Sequence, residues 1–396
     1  MICIIIILTL LRQYRIDPMS ELKKVLIVTY YWPPAGGPAI QRTLKFVKYM
    51  RFFGWEPVIL TVENGEYPAI DPSLIQEIPD NIQVYKTKAF QPFQLYRMLT
   101  GKKGNTHNNA NVFGQKDTTF VERLAKWIRL NLFIPDARIG WYAYAVKAAK
   151  KIIEQEHIDL IYSSSPPHSL QLIAQKIAKQ NKIKWVADFR DPWSELVHYQ
   201  SYKRTWLTRK IDSHFEKSVF RSADRLVAAA NDYATCIKTH VDRKIEVIYN
   251  GYDPSDFPKP KSRNTEDFLI TYTGELSEDR IPHALLRALS RLEHSNIKLQ
   301  FIGNTCPELK QEIQRLNLGN KVMLKPYMPH IASIAELQQS DLLLLVINQV
   351  ANGKGIVPGK IFEYLGTRKP ILCLGDPTGE AGEIIKTTNS GFCIAH

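Results

Sequence analysis

Short apolar runs alternate with amphipathic stretches along most of the chain. In the first half the runs cover residues 24–31, 56–62, 159–165, 184–190 and 225–230. Between the first two runs, residues 39–53 carry apolar side chains at helical spacing, and Gly54 ends that pattern. Short apolar runs that alternate with helical segments predict buried parallel strands joined by helices.

The second half repeats this alternation. Its apolar runs cover residues 268–274, 297–303, 322–327, 341–347 and 370–375, and the pattern predicts helices at 308–316 and 331–339. A chain of 396 residues suggests two domains. We therefore predict an α/β protein with two doubly wound, Rossmann-like domains facing a cleft.

The predicted domain limits follow from composition. Residues 254–267 are rich in Pro, Lys, Ser and Asp, which is typical of a linker. We assign residues 19–255 to the first domain, 256–267 to the linker and 268–396 to the second domain. The second domain stops on a predicted strand, so we expect it to be incomplete, and the early stop to affect stability and activity.

The first 18 residues form a separate segment. Residues 1–11 are apolar, but a bilayer span takes ~20 such residues. The segment also lacks the basic region and cleavage site of a signal peptide. We predict that Met19 is the initiator and that residues 1–18 are a non-native or unstructured leader. The alternative is a short membrane anchor.

Composition and charge narrow the class of partner. Apolar residues make up 44% of the chain and charged residues 23%, which is usual for a globular protein. The net charge of 52 − 39 = +13 favours anionic partners, namely nucleic acid, anionic lipid or phosphorylated substrates. Zinc-finger spacing and RNA-recognition signatures are absent from the sequence, so nucleic acid is the least favoured.

The five cysteines are scattered and form no C-x-x-C motif, which indicates a reduced, cytoplasmic protein. Residues 120–133 and 142–155 are predicted as basic amphipathic helices. Such helices can lie on an anionic membrane, which would make the protein peripheral at the inner membrane face. More commonly the apolar stripe packs in the core and the basic side chains are solvated.

Two loops of the first domain carry candidate chemistry. Gly36 and Gly37 follow the first strand, and open α/β sheets bind ligands at such strand ends. Asp188, Arg190 and Asp191 end a later strand, where they would orient an acceptor hydroxyl or stabilise charge in a transition state. The alternatives are a tight turn and a local ion pair.

The second domain contains a candidate phosphate site at residues 355–366. Pro358 suits the first turn of a helix, and Gly359 allows close approach of a ligand to the backbone. Lys360 adds a full charge to the positive end of the helix, which favours a phosphate. Glu363, one turn further on, would accept hydrogen bonds from two sugar hydroxyls. The alternative is an ordinary βαβ unit with solvated charges.

Residues 360–371, Lys-Ile-Phe-Glu-Tyr-Leu-Gly-Thr-Arg-Lys-Pro-Ile, resemble the donor-site helix of the family-4 glycosyltransferases, which have the GT-B fold. The resemblance implies that Glu363 binds the ribose of a nucleotide-sugar donor. It also implies that Gly36 and Gly37 match the family's Gly-Gly loop beside the donor phosphate and the acceptor. Gly274 matches a donor-loop glycine, and Arg280 retains the charge of a lysine that contacts the diphosphate.

The chain departs from the family pattern at three positions. Many members have a second Glu where this chain has Gly355, and an Arg where it has Glu275, which reverses a charge near the diphosphate. Many also have a His close to the sugar, where this chain has Arg190. His168, one strand earlier, is a candidate substitute, although a lone His after Pro-Pro is more often structural.

Ser169 is predicted to cap the following helix.

The resemblance implies a retaining, metal-independent enzyme that moves a sugar from a nucleoside diphosphate to an acceptor hydroxyl. The lack of an Asp-x-Asp triplet agrees with metal independence, and we expect no cofactor, since the nucleotide-sugar is a co-substrate. A glycan or lipid-linked acceptor in polysaccharide or glycolipid assembly would suit the basic charge. The alternatives are a nucleotide-sugar epimerase and a degenerate protein that only binds nucleotide or glycan.

Overall fold

The computed structural model describes residues 22–67, 69–90, 120–193, 204–260, 263, 265–292, 296–350 and 353–396. The described chain divides into two compact units, the first ending at Tyr249 and the second beginning at Asn250. Residues 250–255, which we assigned to the first domain, therefore belong to the second unit. The predicted leader, residues 1–18, lies outside the described residues.

The first unit is built on a parallel sheet. Its strands are β1 (Lys23–Val28), β2 (Trp55–Val62), β3 (Gln83–Thr87), β4 (Leu160–Ser165), β5 (Lys184–Phe189), β6 (Arg225–Ala228) and β7 (Ile245–Val247). They lie in the order β3-β2-β1-β4-β5-β6-β7, and each neighbouring pair is parallel. Strand β3 was missed because its sequence is mostly polar and its side chains are half-buried or exposed, as at a sheet edge.

Helices cover both faces of this sheet. They are α1 (Pro38–Met50), α2 (Phe120–Leu132), α3 (Tyr142–Glu156), α4 (Ser169–Asn181), α5 (Trp206–Ser222) and α6 (Asn231–Lys238). Helix α1 packs Ile40, Leu44 and Val47 on one face. Helix α3 packs Ala145, Ala149 and Ile152 into the core of the other face, so its apolar stripe is ordinary core.

The second unit repeats the design. Its strands are β8 (Phe268–Thr273), β9 (Ile297–Ile302), β10 (Val322–Lys325), β11 (Leu342–Val346), β12 (Ile371–Leu374) and β13 (Gly391–Ile394). Their order is β10-β9-β8-β11-β12-β13, again parallel throughout. The helices are α7 (His283–Arg291), α8 (Pro307–Arg315), α9 (His330–Gln338), α10 (Lys360–Thr367) and α11 (Glu380–Thr387).

Both sheets are doubly wound, which confirms the predicted α/β class. The strand order reverses between β1 and β4 in the first sheet and between β8 and β11 in the second. Parallel α/β sheets bind ligands at the carboxyl ends of the strands beside such a reversal. The topology alone therefore points to residues after β1 and β4 in one unit and after β8 and β11 in the other.

Two local predictions need correction. Helix α10 begins at Lys360 with Gly359 as its cap, so Pro358 precedes the cap instead of lying in the first turn. Ser169 does not cap helix α4. The Asp136 carboxylate accepts from the Ser169 amide at 2.8 Å and from its hydroxyl at 3.0 Å, and so satisfies the helix end from a distant loop. Within the described residues, every helix is too short or too polar to cross a membrane.

Candidate functional site

Lys360 lies at the strand-order reversal of the second unit. It is the first residue of helix α10, and its ammonium donates a hydrogen bond to the Thr273 carbonyl at the end of β8. The same ammonium lies 3.9 Å from the centre of the Tyr272 ring. Burial, helped by the neighbouring Arg280 charge and opposed by Glu363, lowers the pKa of Lys360 to about 7. A nearby anion would favour the protonated form of this lysine and so raise its pKa.

Two glycines make room for this lysine. Gly274 has φ +105°, and a Cβ there would lie 3.0 Å from the Lys360 ammonium. Gly303 has φ +128°, and a Cβ there would come within 2.5 Å of the Gly274 carbonyl oxygen. Both positions combine a left-handed backbone with a close approach, which only glycine tolerates. At Gly359, by contrast, a Cβ would have no neighbour within 4 Å, so the space above the helix cap is open among the described residues.

Arg280 is held close to Lys360. Its Nε donates to the Asn348 side-chain oxygen at 2.8 Å, and the Asn348 amide in turn donates to Asp279. Asn348 follows strand β11, so the pair spans the two strands that flank the reversal. The structure therefore brings together the predicted residues Gly274, Arg280 and Lys360. Asn348 was missed, although a polar residue directly after a long apolar run was an available signal.

Glu275, the position where the charge is reversed, contacts its neighbours through its backbone carbonyl. Its carbonyl oxygen accepts from the Tyr272 hydroxyl at 2.8 Å and from Arg280 at 3.4 Å. The residue itself is exposed. The Glu275 side chain is thus exposed, while its backbone carbonyl helps to hold Tyr272 and Arg280 in place.

Glu363 has a histidine partner. His330 Nε2 lies 3.0 Å from Glu363 Oε1, and His330 Nδ1 lies 3.9 Å from Asp256 Oδ2. His330 opens helix α9, which packs on α10, and Asp256 belongs to a short 3₁₀ helix, Pro254–Asp256. Sequence reasoning missed His330, because nothing in the spacing links it to a glutamate on another helix. Gly355, at the position of the absent second Glu, is buried in another 3₁₀ helix, Gly353–Gly355.

In the first unit, Asp188 is the centre of a buried network. Arg42 donates to its two carboxylate oxygens from Nε and Nη2, each at 2.8 Å. The hydroxyls of Tyr162 and Ser164 donate to Oδ2 at 2.7 Å. Burial acts to raise the pKa of Asp188, but Arg42 and the hydroxyl donors outweigh it and hold the pKa below its usual value.

This environment favours the alternative interpretation of Asp188, a local ion pair. The side chain has no exposed surface, and both of its oxygens already accept hydrogen bonds from within the unit. The carboxylate holds Arg42 and the end of β4 in place through these hydrogen bonds.

Arg190 and Asp191, the other two predicted residues, are only partly buried. Arg190 donates to the carbonyl oxygens of Ser165 and Pro166, at 3.3 Å for Ser165, and so fixes the loop after β4. Burial lowers the pKa of Arg190, and the neighbouring Asp191 and Asp188 charges oppose that change. Of the three predicted residues, these two retain some exposed surface.

His168, the last residue of that loop before helix α4, is buried. Its ring stacks on Trp193 with centres 4.8 Å apart and planes 16° apart. Burial, together with the Arg190 charge, lowers the pKa of His168 to about 3. Among the described residues neither ring nitrogen has a hydrogen-bond partner. The residue is therefore a neutral, apolar-packed histidine.

Gly36 and Gly37 connect β1 to helix α1. The Gly36 amide donates to the Ala69 carbonyl at 2.9 Å. Gly37 has φ +94° at the cap of α1, and a Cβ there would meet nothing within 4 Å. The loop thus leaves open space at the amino end of a helix. In the described part of the chain, His, Cys, Asp and Glu side chains form no group of three or more that suits a metal ion.

The sequence matches two protein families. Residues 111–256 match the family described as Glycosyltransferase Family 4. Residues 254–396 match the family described as Glycosyl transferases group 1. The two matches together cover the chain from residue 111 to its last residue. A search of curated protein sequences finds no match.

Several solved structures share the fold. HepE from Anabaena, crystallised with UDP and glucose, matches with a TM-score of 0.59 and 16% identity over 94% of this chain and 86% of HepE. Sucrose-phosphate synthase from Thermosynechococcus elongatus matches with a TM-score of 0.59 and 12% sequence identity, over 94% of this chain and 86% of the synthase. TarM matches with a TM-score of 0.62 and 10% sequence identity, over 96% of this chain and 90% of TarM. At such identities these similarities concern the fold.

Proposed function

We propose that this chain, a member of the family-4 glycosyltransferases with the GT-B fold, moves a sugar from a nucleoside diphosphate donor to an acceptor hydroxyl. The observation that carries the donor assignment is the cluster of Gly274, Arg280 and Lys360 at the strand-order reversal of the second unit. HepE, which shares the fold, has been crystallised with UDP-glucose, and this supports a donor of the same class.

The donor diphosphate lies, in this proposal, against Gly274 and the amino end of helix α10. Two cations are available there, because Arg280 and Lys360 are close enough for one charge to lower the pKa of the other. The charge of the leaving diphosphate grows as the glycosidic bond breaks, and preorganised cations and helix amides stabilise that growth. We therefore assign Lys360 and Arg280 to the leaving diphosphate. Gly359 leaves open space for the diphosphate above the helix cap.

Glu363 is assigned to the ribose. His330 contacts one carboxylate oxygen, Oε1, which leaves Oε2 for the ribose hydroxyls. A carboxylate whose one oxygen is held by a fixed partner loses less rotational freedom when it binds a ligand. The proposal thus makes His330 a positioning residue for Glu363.

On the acceptor side we assign Arg190 and Asp191, together with the loop at Gly36 and Gly37. Asp188 supports them from below, through Arg42 and the end of β4. We further propose that transfer retains the anomeric configuration and needs no metal ion, since Lys360 and Arg280 supply the positive charge. The anomeric configuration of the product and the effect of a chelator on the rate test these two points.

A first experiment identifies the donor. Thermal unfolding of the full chain is followed with UDP-, GDP-, ADP- and dTDP-sugars, and a ligand at about 100 times its Kd stabilises by ~2.7 kcal/mol. Lys360→Ala should abolish the shift, whereas Lys310→Ala, an exposed lysine on α8, should leave it unchanged. A cooperatively folding protein that responds to none of the four sugars would contradict the donor assignment.

The nature of the reaction is tested by product analysis with and without acceptor. A transferase leaves the donor largely intact until an acceptor hydroxyl is supplied. An epimerised or rearranged sugar formed without acceptor would favour the epimerase alternative. Glycan and lipid-linked acceptors are tried first, since a lipid diphosphate suits a chain of net charge +13 and a role in polysaccharide or glycolipid assembly at the cytoplasmic face of a membrane.

A further inference from the structure

The two exposed tryptophans of this protein lie on one part of the first unit. The chain has seven tryptophans, and five of them are at most 6% exposed: Trp32, Trp55, Trp141, Trp185 and Trp193. Trp127 on helix α2 is 47% exposed, and Trp206 at the start of helix α5 is 67% exposed. Large aromatic side chains rarely remain exposed together without a partner.

Three leucines extend this apolar surface. Leu124 and Trp127 are three residues apart on α2 and so share a face of the helix. Leu132 ends α2, and Leu207 follows Trp206 on α5. All three leucines are exposed. We call the set Leu124, Trp127, Leu132, Trp206 and Leu207 the docking surface.

A buried asparagine holds the two helices together. The Asn131 side-chain oxygen accepts from the Thr205 amide at 2.8 Å and from the Thr208 hydroxyl at 3.0 Å. Arg204 also donates to the Leu130 carbonyl at 3.3 Å. The carboxyl end of α2 is thus fastened to the amino end of α5. Leu132 and Trp206 are each next in sequence to a residue of this junction, so the junction brings the two exposed residues close together.

Among the side chains whose exposure the structure describes, the exposed charges next to the docking surface are basic. Arg123 on α2 and Arg209 and Lys210 on α5 are exposed, and the Lys210 ammonium lies 5.9 Å from the Trp206 ring centre. Helix α5 carries two carboxylates, Asp212 and Glu216, and both are buried, at 2% and 1% exposure. Arg204 pairs with Asp212 at 2.6 Å inside the unit. The outward charge of this part of α5 is therefore positive.

We propose that the docking surface binds an anionic lipid bilayer. Tryptophan prefers the boundary between headgroups and acyl chains, and leucines enter the apolar layer below it. Arginine and lysine beside them meet anionic headgroups while their stems cover apolar area. Exposed Trp and Leu beside exposed cations, with the carboxylates of α5 buried, match the layered chemistry of an anionic bilayer surface.

The experiment measures partition of the full chain onto vesicles, without any nucleotide-sugar, so that it is independent of the donor assignment. Vesicles of phosphatidylcholine are compared with vesicles containing about one third phosphatidylglycerol. We expect binding to the anionic vesicles, weakened by salt because screening shortens the range of the attraction. Brominated lipids should quench tryptophan emission, because Trp127 and Trp206 enter the boundary while the other five remain buried.

Two variants with matched controls locate the surface. Trp127→Ser/Trp206→Ser should lower the partition coefficient about tenfold or more, whereas Phe52→Ser/Phe392→Ser, at exposed aromatics elsewhere, should not. Arg209→Glu/Lys210→Glu should also lower it about tenfold or more. Lys238→Glu/Lys310→Glu, which changes net charge equally, should lower it much less. Thermal unfolding verifies that each variant is folded.

Three results would overturn the proposal. The first is wild-type protein that does not bind anionic vesicles. The second is a pair of docking variants that bind as well as their controls. The third is a self-association that Trp127→Ser/Trp206→Ser abolishes while no vesicle binding occurs, since the surface would then belong to a contact between two copies of the chain.

Discussion

Donor binding should be coupled to the protonation of Lys360. The pKa of this lysine is lowered to about 7 in the free protein, and a bound diphosphate would raise it again. Above pH 7 the donor therefore has to bind together with a proton, and its affinity falls as the pH rises. With a pKa of about 7, the Kd of the donor should increase about thirtyfold between pH 6 and pH 8.5.

The assay is isothermal titration calorimetry of the full chain with the intact nucleotide-sugar that the stability screen identifies. The intact sugar is needed because a terminal phosphate, as in a free nucleoside diphosphate, titrates near pH ~6 and would obscure the effect. Lys360→Arg is the informative variant, since arginine stays charged throughout this range. Its Kd should change less than about twofold over the same pH interval. Lys310→Arg should behave as wild type.

Two outcomes would refute this reasoning. A wild-type Kd that is constant from pH 6 to pH 8.5, while Lys360→Ala still weakens binding, would mean that the pKa of Lys360 is not lowered. An equally steep pH dependence in Lys360→Arg would place the titrating group elsewhere in the site.

Further predictions concern the residues around the two groups. Asp188→Asn should leave Arg42 buried without a counter-charge and lower the free energy of unfolding by about 3–5 kcal/mol in urea titrations, and a stability close to wild type would contradict the structural role. Lowering the pH from 7 to 5 should destabilise the wild type by about 2 kcal/mol through His168, whose pKa is lowered in the fold, because the unfolded chain then takes up a proton that the folded chain refuses. His168→Phe should remove that part of the pH dependence and keep the stacking on Trp193, and an unchanged pH dependence would refute it. His330→Ala should raise the KM of the donor about fivefold with little change in kcat, and equal loss of both would argue against a positioning role.

The grouping of Gly274, Arg280 and Lys360 was largely predictable because its signals are local. Lys360 stands at a helix start between two apolar runs, and Gly274 ends another, so position in the chain alone indicates the ligand end of each strand. Asn348 and His330 were missed for a different reason. Each acts through a partner on a separate element, Arg280 in one case and Glu363 in the other, and no periodicity connects them.

Asp188 shows why a strand-end carboxylate cannot be assigned from sequence. Its partner Arg42 is 146 residues away, on the inward face of helix α1, and is itself only 5% exposed. In the sequence, Arg42 looks like a solvated charge among apolar neighbours, and Asp188 looks like an active-site acid. Each charge is buried only because the other is there, since an unpaired charge at either position would carry a large desolvation cost. Both charges are buried because the topology places helix α1 beside strands β4 and β5.

Helix α5 makes the same point about charge. The exposed charges of its first turns are basic because the fold buries Asp212 and Glu216. The net charge of +13 does not show which charges are buried and which are exposed. The helices at 120–133 and 142–155 likewise had indistinguishable patterns, yet α3 packs its stripe into the core while α2 keeps Leu124 and Trp127 exposed. An amphipathic pattern specifies that a helix needs an apolar partner. Whether that partner is the core or a membrane depends on which face of the sheet is already covered, and only the three-dimensional structure contains that information.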